Sequence, residues 1–165
     1  TIIEEKGSLE NLNITWFGPI TNVAHSWIEA HSKNLGFKFS IFSPDRSRDL
    51  YLSKISDYKE NLNIESIIHN QIDDEILSTA DVIMTDTWQS MGEENDEKVI
   101  KELYDFRVSR NLMDKAKEDC IFMHCLPANR DQEVEESVID GVKSRIWEEA
   151  SNRLHIQKQI LRMLI

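Results

Sequence analysis

The chain has 165 residues, with 19 Lys and Arg against 30 Asp and Glu, a net charge of −11, 40% hydrophobic and 30% charged residues. This is the balance of a globular protein, and a chain of this length buries roughly 70% of the surface its unfolded form exposes, enough for one core and one domain. The acidic surplus argues against nucleic acid and anionic membrane surfaces as partners, and no apolar run approaches the roughly 20 residues of a membrane-spanning helix.

Asn13-Ile-Thr-Trp-Phe-Gly18 reads as a strand and Val23 to Leu35 as a helix. In that helix Val23, Ala24, Trp27, Ile28 and Leu35 fall near one face, and Gly36 ends it. Lys38-Phe-Ser-Ile-Phe42 is the next strand, closed by a Ser43-Pro44-Asp45 turn, and a polar helical segment runs to about Glu60. Ile64 to Ile68 is strand-like, and Asp73 to Ala80 reads as a short helix with Asp73 or Asp74 near its start. Asp81 to Asp86 is a buried strand, followed by an irregular stretch from Trp88 to Glu94. Asn95 to Lys117 is mostly helical, with Val99, Ile100, Leu103 and Phe106 spaced for burial. Cys120-Ile-Phe-Met-His-Cys125 is the last apolar strand. Apolar strands alternating with helices predict an α/β fold, a doubly wound, mainly parallel sheet with helices on both faces.

In such sheets ligands sit beyond the carboxyl ends of the strands, which selects Gly18 to Ser26, Asp86 to Glu93 and Cys125 to Arg130. At the first, Gly18 opens a helix but the further glycines of a dinucleotide fingerprint are missing, so NAD is disfavoured. Asn22 stands where a helix cap belongs, as a plain cap or as an anion contact. His25 and His31 are six apart and cannot share a helix face as metal ligands, which leaves them surface or packing roles. At the second, Asp86 at a strand end can pair with an ammonium group, and Ser90 can offer a hydroxyl in a tight loop. At the third, alternation along a strand turns His124 and Cys125 to opposite faces, against a nucleophilic dyad. Cys125 then reads as a small buried hydrophobe or as a ligand contact, and no metal site is expected from Cys120 and Cys125. Arg153, read as lying near the start of the final helix, is either a surface ion pair or a grip on an anionic ligand. The acidic stretches Glu93 to Glu97 and Glu133 to Glu136 read as solvated faces or helix N-terminal charge. Two cysteines fit a reducing cytoplasm, and Thr1 to Lys6 holds no signal peptide.

Taken together, Asn-Val-Ala-His-Ser (22–26), Thr-Asp-Thr-Trp-Gln-Ser-Met-Gly-Glu (85–93), His-Cys-Leu-Pro-Ala (124–128) and Ala-Ser-Asn-Arg-Leu-His (150–155) resemble ornithine carbamoyltransferases. The resemblance runs along essentially the whole chain but covers only the second, ornithine-binding half of that family. It implies a Rossmann-like second domain over residues 1–165, with the carbamoyl phosphate-binding domain absent. It also implies transfer of the carbamoyl group of carbamoyl phosphate to ornithine, giving citrulline and phosphate without metal or organic cofactor. By resemblance Asn22, Asp86, Ser90 and Met91 hold ornithine, Cys125, Leu126 and Arg153 meet carbamoyl phosphate, and Cys125 and Asp86 are the catalytic pair.

The chain departs from the family at Gly18-Pro19-Ile20-Thr21-Asn22-Val23, where relatives usually show Gly-Asp-Gly-Asn-Asn-Val, and at Ser151, where they show Glu. These departures keep open an acceptor such as N-acetylornithine, putrescine or aspartate, or a non-catalytic amino-acid-binding module. Cys125 and Ala128 favour ornithine over aspartate, whose enzymes resemble His-Pro-Leu-Pro-Arg there. The family's Ser-Thr-Arg-Thr-Arg and His-Pro-x-Gln phosphate-gripping segments do not occur in these residues. The resemblance therefore predicts a homotrimeric whole protein, an inactive and monomeric or weakly dimeric half, and a cut just ahead of Thr1 near an inter-domain hinge. The final helix, with Leu154, Ile160, Leu161 and Leu164 on one side, is expected to reach toward the absent half and to fray or pack on a neighbour without it.

Overall fold

The computed structural model describes residues 1–55, 64, 66–88 and 97–165. Its β-branched and aromatic runs form five parallel strands, β1 (Asn13–Phe17), β2 (Lys38–Phe42), β3 (Ile68–His69), β4 (Val82–Thr85) and β5 (Ile121–His124), in the order β3-β2-β1-β4-β5. Strand alternation splits their side chains between two cores. Trp16, Ile41, Met84 and Met123 pack with Ala24 and Ile28 of α2 (Asn22–Ser32) and Tyr51 of α3 (Asp45–Lys54), together with Ile2 of the short α1 (Ile2–Lys6). Phe17, Phe42, Ile83 and Phe122 pack on the other face, against α4 (Asp74–Ser78), α6 (Arg110–Lys115) and α7 (Glu136–Ile139). A sheet buried on both faces is the reason its strands read as nearly continuous apolar runs. The doubly wound expectation holds.

The helices depart from the sequence reading in their limits. α2 stops at Ser32, so Gly36 caps nothing; Asn34 and Gly36 instead take positive φ in the connection to β2, and Leu35 is exposed. Pro44 caps α3 rather than centring a free turn, and the part of the predicted helix from 56 to 60 lies outside the described residues. β3 holds only Ile68 and His69, because Ser66 and Ile67 turn. The single helix expected to Lys117 is broken into α5 (Glu97–Leu103), a 3-10 turn (Tyr104–Phe106) and α6, capped by the Ser109 hydroxyl. Leu103 and Phe106 are buried as predicted, and the Val99 side chain lies outside the described part. α1 and α7 were not foreseen.

The last helix, α8 (Ile146–Leu164), is regular to its end, but only Ile146 on it is buried. Leu154, Ile160, Leu161 and Leu164 are exposed. Its first turns are tied to α1, by Asn152 Nδ2 to Thr1 Oγ1 at 2.8 Å and, just before the helix, by Arg145 to Glu5 at 2.6 Å. Among the described residues no helix is long and apolar enough to cross a membrane.

Candidate functional site

The strand order places β1, β4 and β5 side by side, and the register pairs Phe17 with Thr85 and Thr85 with His124. The three segments picked from sequence therefore leave the sheet at one level, at the point where the chain reverses its winding about β1. Gly18 has φ +100, and a Cβ there would lie 3.4 Å from both Thr85 Oγ1 and the Trp88 indole nitrogen. The glycine thus lets Trp88 close over the end of β1, with its ring edge-on to Tyr104. Thr85, fully buried, ties β4 to β1 by donating from its hydroxyl to the Phe17 carbonyl at 2.7 Å.

Asp86 follows β4 and is buried; its Oδ1 accepts the Thr87 amide at 2.8 Å and the Cys125 thiol at 3.1 Å. Burial, and then the bond to Asp86 and the charge of that carboxylate, push the Cys125 thiol up to about 12. At neutral pH it is a protonated donor. The expectation that His124 and Cys125 face apart is corrected, because β5 ends at His124 and strand alternation stops with it. Single donor atoms of Asp86, His124 and Cys125 lie within 4.8 Å of one another, a grouping of types that suits zinc and that the two-cysteine argument did not foresee. Here the thiol is engaged by Asp86, and His124 Nδ1 accepts the Leu126 amide at 3.0 Å. No bond joins the thiol to the imidazole among the described residues.

Two further acids enclose this turn. Glu133, expected on a solvated face or as helix N-terminal charge, has no exposed surface and lies ahead of the α7 cap; its Oε1 accepts the Asn129 amide and lies 3.5 Å from His124 Nε2. Glu135 and Glu136 do match the reading as helix N-terminal charge, at the cap and first position of α7. Glu149, in the first turn of α8, accepts the backbone amide of His124 at 3.0 Å, and burial raises its carboxyl above the usual range. Glu133, in the polar run Arg130-Asp-Gln-Glu-Val-Glu-Glu136, carries no sequence signal of burial, and Glu149 carries only its place three residues after Ile146.

The other candidates are less closely joined. Thr21, not Asn22, caps α2, and without a side-chain bond; Asn22 is the first helical residue and is exposed beside the end of β1. Arg153 is the eighth residue of α8, not near its start, because the helix begins at Ile146; it is exposed and among the described residues has no ion-pair partner. Leu126 takes φ +51 and packs against the second core. Ser90 and Met91 lie outside the described residues. His25 and His31 have packing roles, at 2.7 Å from the Tyr51 hydroxyl and 3.3 Å from the Phe37 carbonyl.

A family model described as aspartate/ornithine carbamoyltransferase, Asp/Orn binding domain, matches residues 10–164. The chain is 39% identical to an ornithine carbamoyltransferase of Acinetobacter baumannii, over 100% of this chain and 52% of that protein. It is 37% identical to one of Geobacter metallireducens, over 100% of this chain and 54% of that protein. The solved ornithine carbamoyltransferase of Pyrococcus furiosus is similar at 36% identity with a TM-score of 0.79, over 97% of this chain and 51% of that one. The chain spans about half the length of the curated relatives it matches.

Proposed function

The chain belongs to the aspartate/ornithine carbamoyltransferase family, and from that premise we propose that it is the ornithine-binding half of an ornithine carbamoyltransferase. On this reading residues 1–165 are one amino-acid-binding domain. A carbamoyl phosphate-binding domain and a cytoplasmic homotrimer belong to the whole protein.

The observation that carries the proposal is the Asp86–Cys125 pair, 3.1 Å apart where β4 and β5 end, with Asp86 buried and Cys125 half-buried, in a chain whose matched relatives are named for this reaction. Ornithine's side-chain amine, deprotonated, attacks the carbonyl carbon of carbamoyl phosphate; a C–N bond forms, the C–O bond to phosphate breaks, and the proton that the amine sheds ends on the departing phosphate. A buried carboxylate at Asp86 favours a cationic amine on entry, and the neutral Cys125 thiol donates to that carboxylate without competing as a nucleophile. The acceleration comes from holding two substrates in attack geometry rather than from a covalent intermediate. Asn22, Ser90 and Met91 would take ornithine's α-amino and carboxylate groups, and Leu126 and Arg153 would face carbamoyl phosphate.

The departure at Pro19-Ile20-Thr21 favours a second reading, an enzyme of the same family with another amine acceptor. That segment is fixed by Trp16 Nε1 donating to the Pro19 carbonyl at 3.0 Å and the Ile20 amide donating to Ser47 Oγ at 3.0 Å, and the buried Thr21 hydroxyl has no hydrogen-bond partner among the described residues. Calorimetric titration of the chain with ornithine, N-acetylornithine, putrescine and aspartate separates the two. Heat with ornithine is expected, and silence with ornithine beside clear heat from another amine overturns the proposal.

A further inference from the structure

The turn from Cys125 to Asn129 is held by two buried side chains that the proposed chemistry does not use. His124 closes β5 almost fully buried, and Glu133 is fully buried. Leu126 takes φ +51, a left-handed conformation that side chains bearing a Cβ rarely adopt, so something outside the residue must hold it there. Its amide donates to His124 Nδ1 at 3.0 Å. An imidazole nitrogen that accepts carries no proton, which places the ring proton on Nε2, and Nε2 faces Glu133 Oε1 at 3.5 Å. The same Glu133 oxygen accepts the Asn129 amide, while among the described residues Glu133 Oε2 and His124 Nε2 find no hydrogen-bond partner. A fully buried carboxylate with one oxygen unsatisfied is an expensive way to stabilise a core, where an apolar side chain would serve as well. What the pair does supply is one acceptor to the amide near each end of the turn.

We propose that His124 and Glu133 are positioning residues that together fix the Cys125–Asn129 turn, Nδ1 of His124 setting Leu126 and Glu133 setting both Asn129 and the imidazole. The inference rests on the reading of Cys125 and Leu126 as the residues that meet carbamoyl phosphate. Through the turn, the pair presents the Cys125 thiol to Asp86 and keeps Leu126 at the mouth of the site. The imidazole acts on backbone geometry and takes no part in activating the thiol, whose partner is Asp86.

The test is amide hydrogen exchange by NMR on the 165-residue chain, with the alkylation rates of Cys125 and Cys120 measured alongside. His124→Leu removes the acceptor, and Leu126 exchange is expected to speed up by about tenfold, the factor for one lost buried hydrogen bond. Cys125 alkylation should rise relative to that of the buried Cys120. His124→Asn, whose amide oxygen reaches the position of Nδ1, should restore both, which a general packing role would not predict. Glu133→Gln should keep Asn129 protected while loosening Leu126, and it carries the test if His124→Leu does not fold. Unchanged Leu126 exchange and Cys125 alkylation in a folded His124→Leu chain, failure of Asn to restore them, or an unmoved Leu126 in Glu133→Gln overturns the inference. None of these readouts uses ornithine. Ornithine heat with an unresponsive Leu126 sinks only the positioning claim, and a responsive Leu126 without ornithine heat sinks only the proposed function.

Discussion

At Cys125 the deciding quantity is where the thiol proton resides. An ordinary thiol is half ionised at 9.0, whereas burial and the neighbouring Asp86 carboxylate push this one up to about 12. A raised acid keeps its proton through the interval between the two values, so Cys125 stays neutral there. Alkylation by iodoacetamide followed against pH is therefore expected to show no thiolate at 9.0, and Asp86→Asn should move the rise toward lower pH by removing the negative charge beside the thiol. A midpoint at 9.0 in the unchanged chain would contradict this account. Single residues also mark the limit of what sequence offers. Asp86 and Cys125 are each legible as a candidate at a strand end because their motifs are short and the strand ends predictable, whereas their contact is not. Glu133 reads from sequence as a solvated face or helix N-terminal charge, and its burial against His124 and Asn129 is set by residues that the local sequence does not show.

Local chemistry set the elements best where a capping side chain ends an apolar run. Asp73 caps α4, its Oδ1 accepting the Glu75 amide at 2.8 Å and the Ile76 amide at 3.2 Å. That cap was read from sequence as one of two adjacent acids. Asp73→Ala is expected to cost about 1 kcal/mol, read as a lower urea midpoint with unchanged slope; a midpoint that does not move would show the cap to be idle. Boundaries failed where long-range contacts override local preference. Ser109 interrupts the predicted 95–117 helix, and Val108 instead bridges to Val134, with its amide donating to the Glu133 carbonyl at 3.0 Å. α8 starts earlier than read because Ile146 is drawn into the second core, and this shift moves Arg153 from a helix start to its middle. α7, four residues long, was too short for periodicity to reveal.

For the whole molecule, one sheet buried on both faces makes a folded unit, while the proposed reaction needs more than these residues contain. The phosphate-gripping segments implied by the family resemblance do not occur in the chain, and its net charge of −11 offers an anionic substrate no general attraction. The purified chain, given ornithine and carbamoyl phosphate, is expected to form no citrulline, and measurable turnover would refute this. The exposed apolar side of α8 belongs to the same scale, since nothing within the described residues covers it. By itself the sequence determined the fold class, the sheet's five strands in outline and the three segments that converge on the site, because strand period, apolar runs and motif spacing are local properties. Only the tertiary structure decided that Cys125 bonds to Asp86, that His124 turns its ring to Leu126, and that Glu133 is buried. Those outcomes depend on strand order, register and the packing of distant elements, which bring together residues as far apart as Asp86 and Cys125 at a distance no spacing rule encodes.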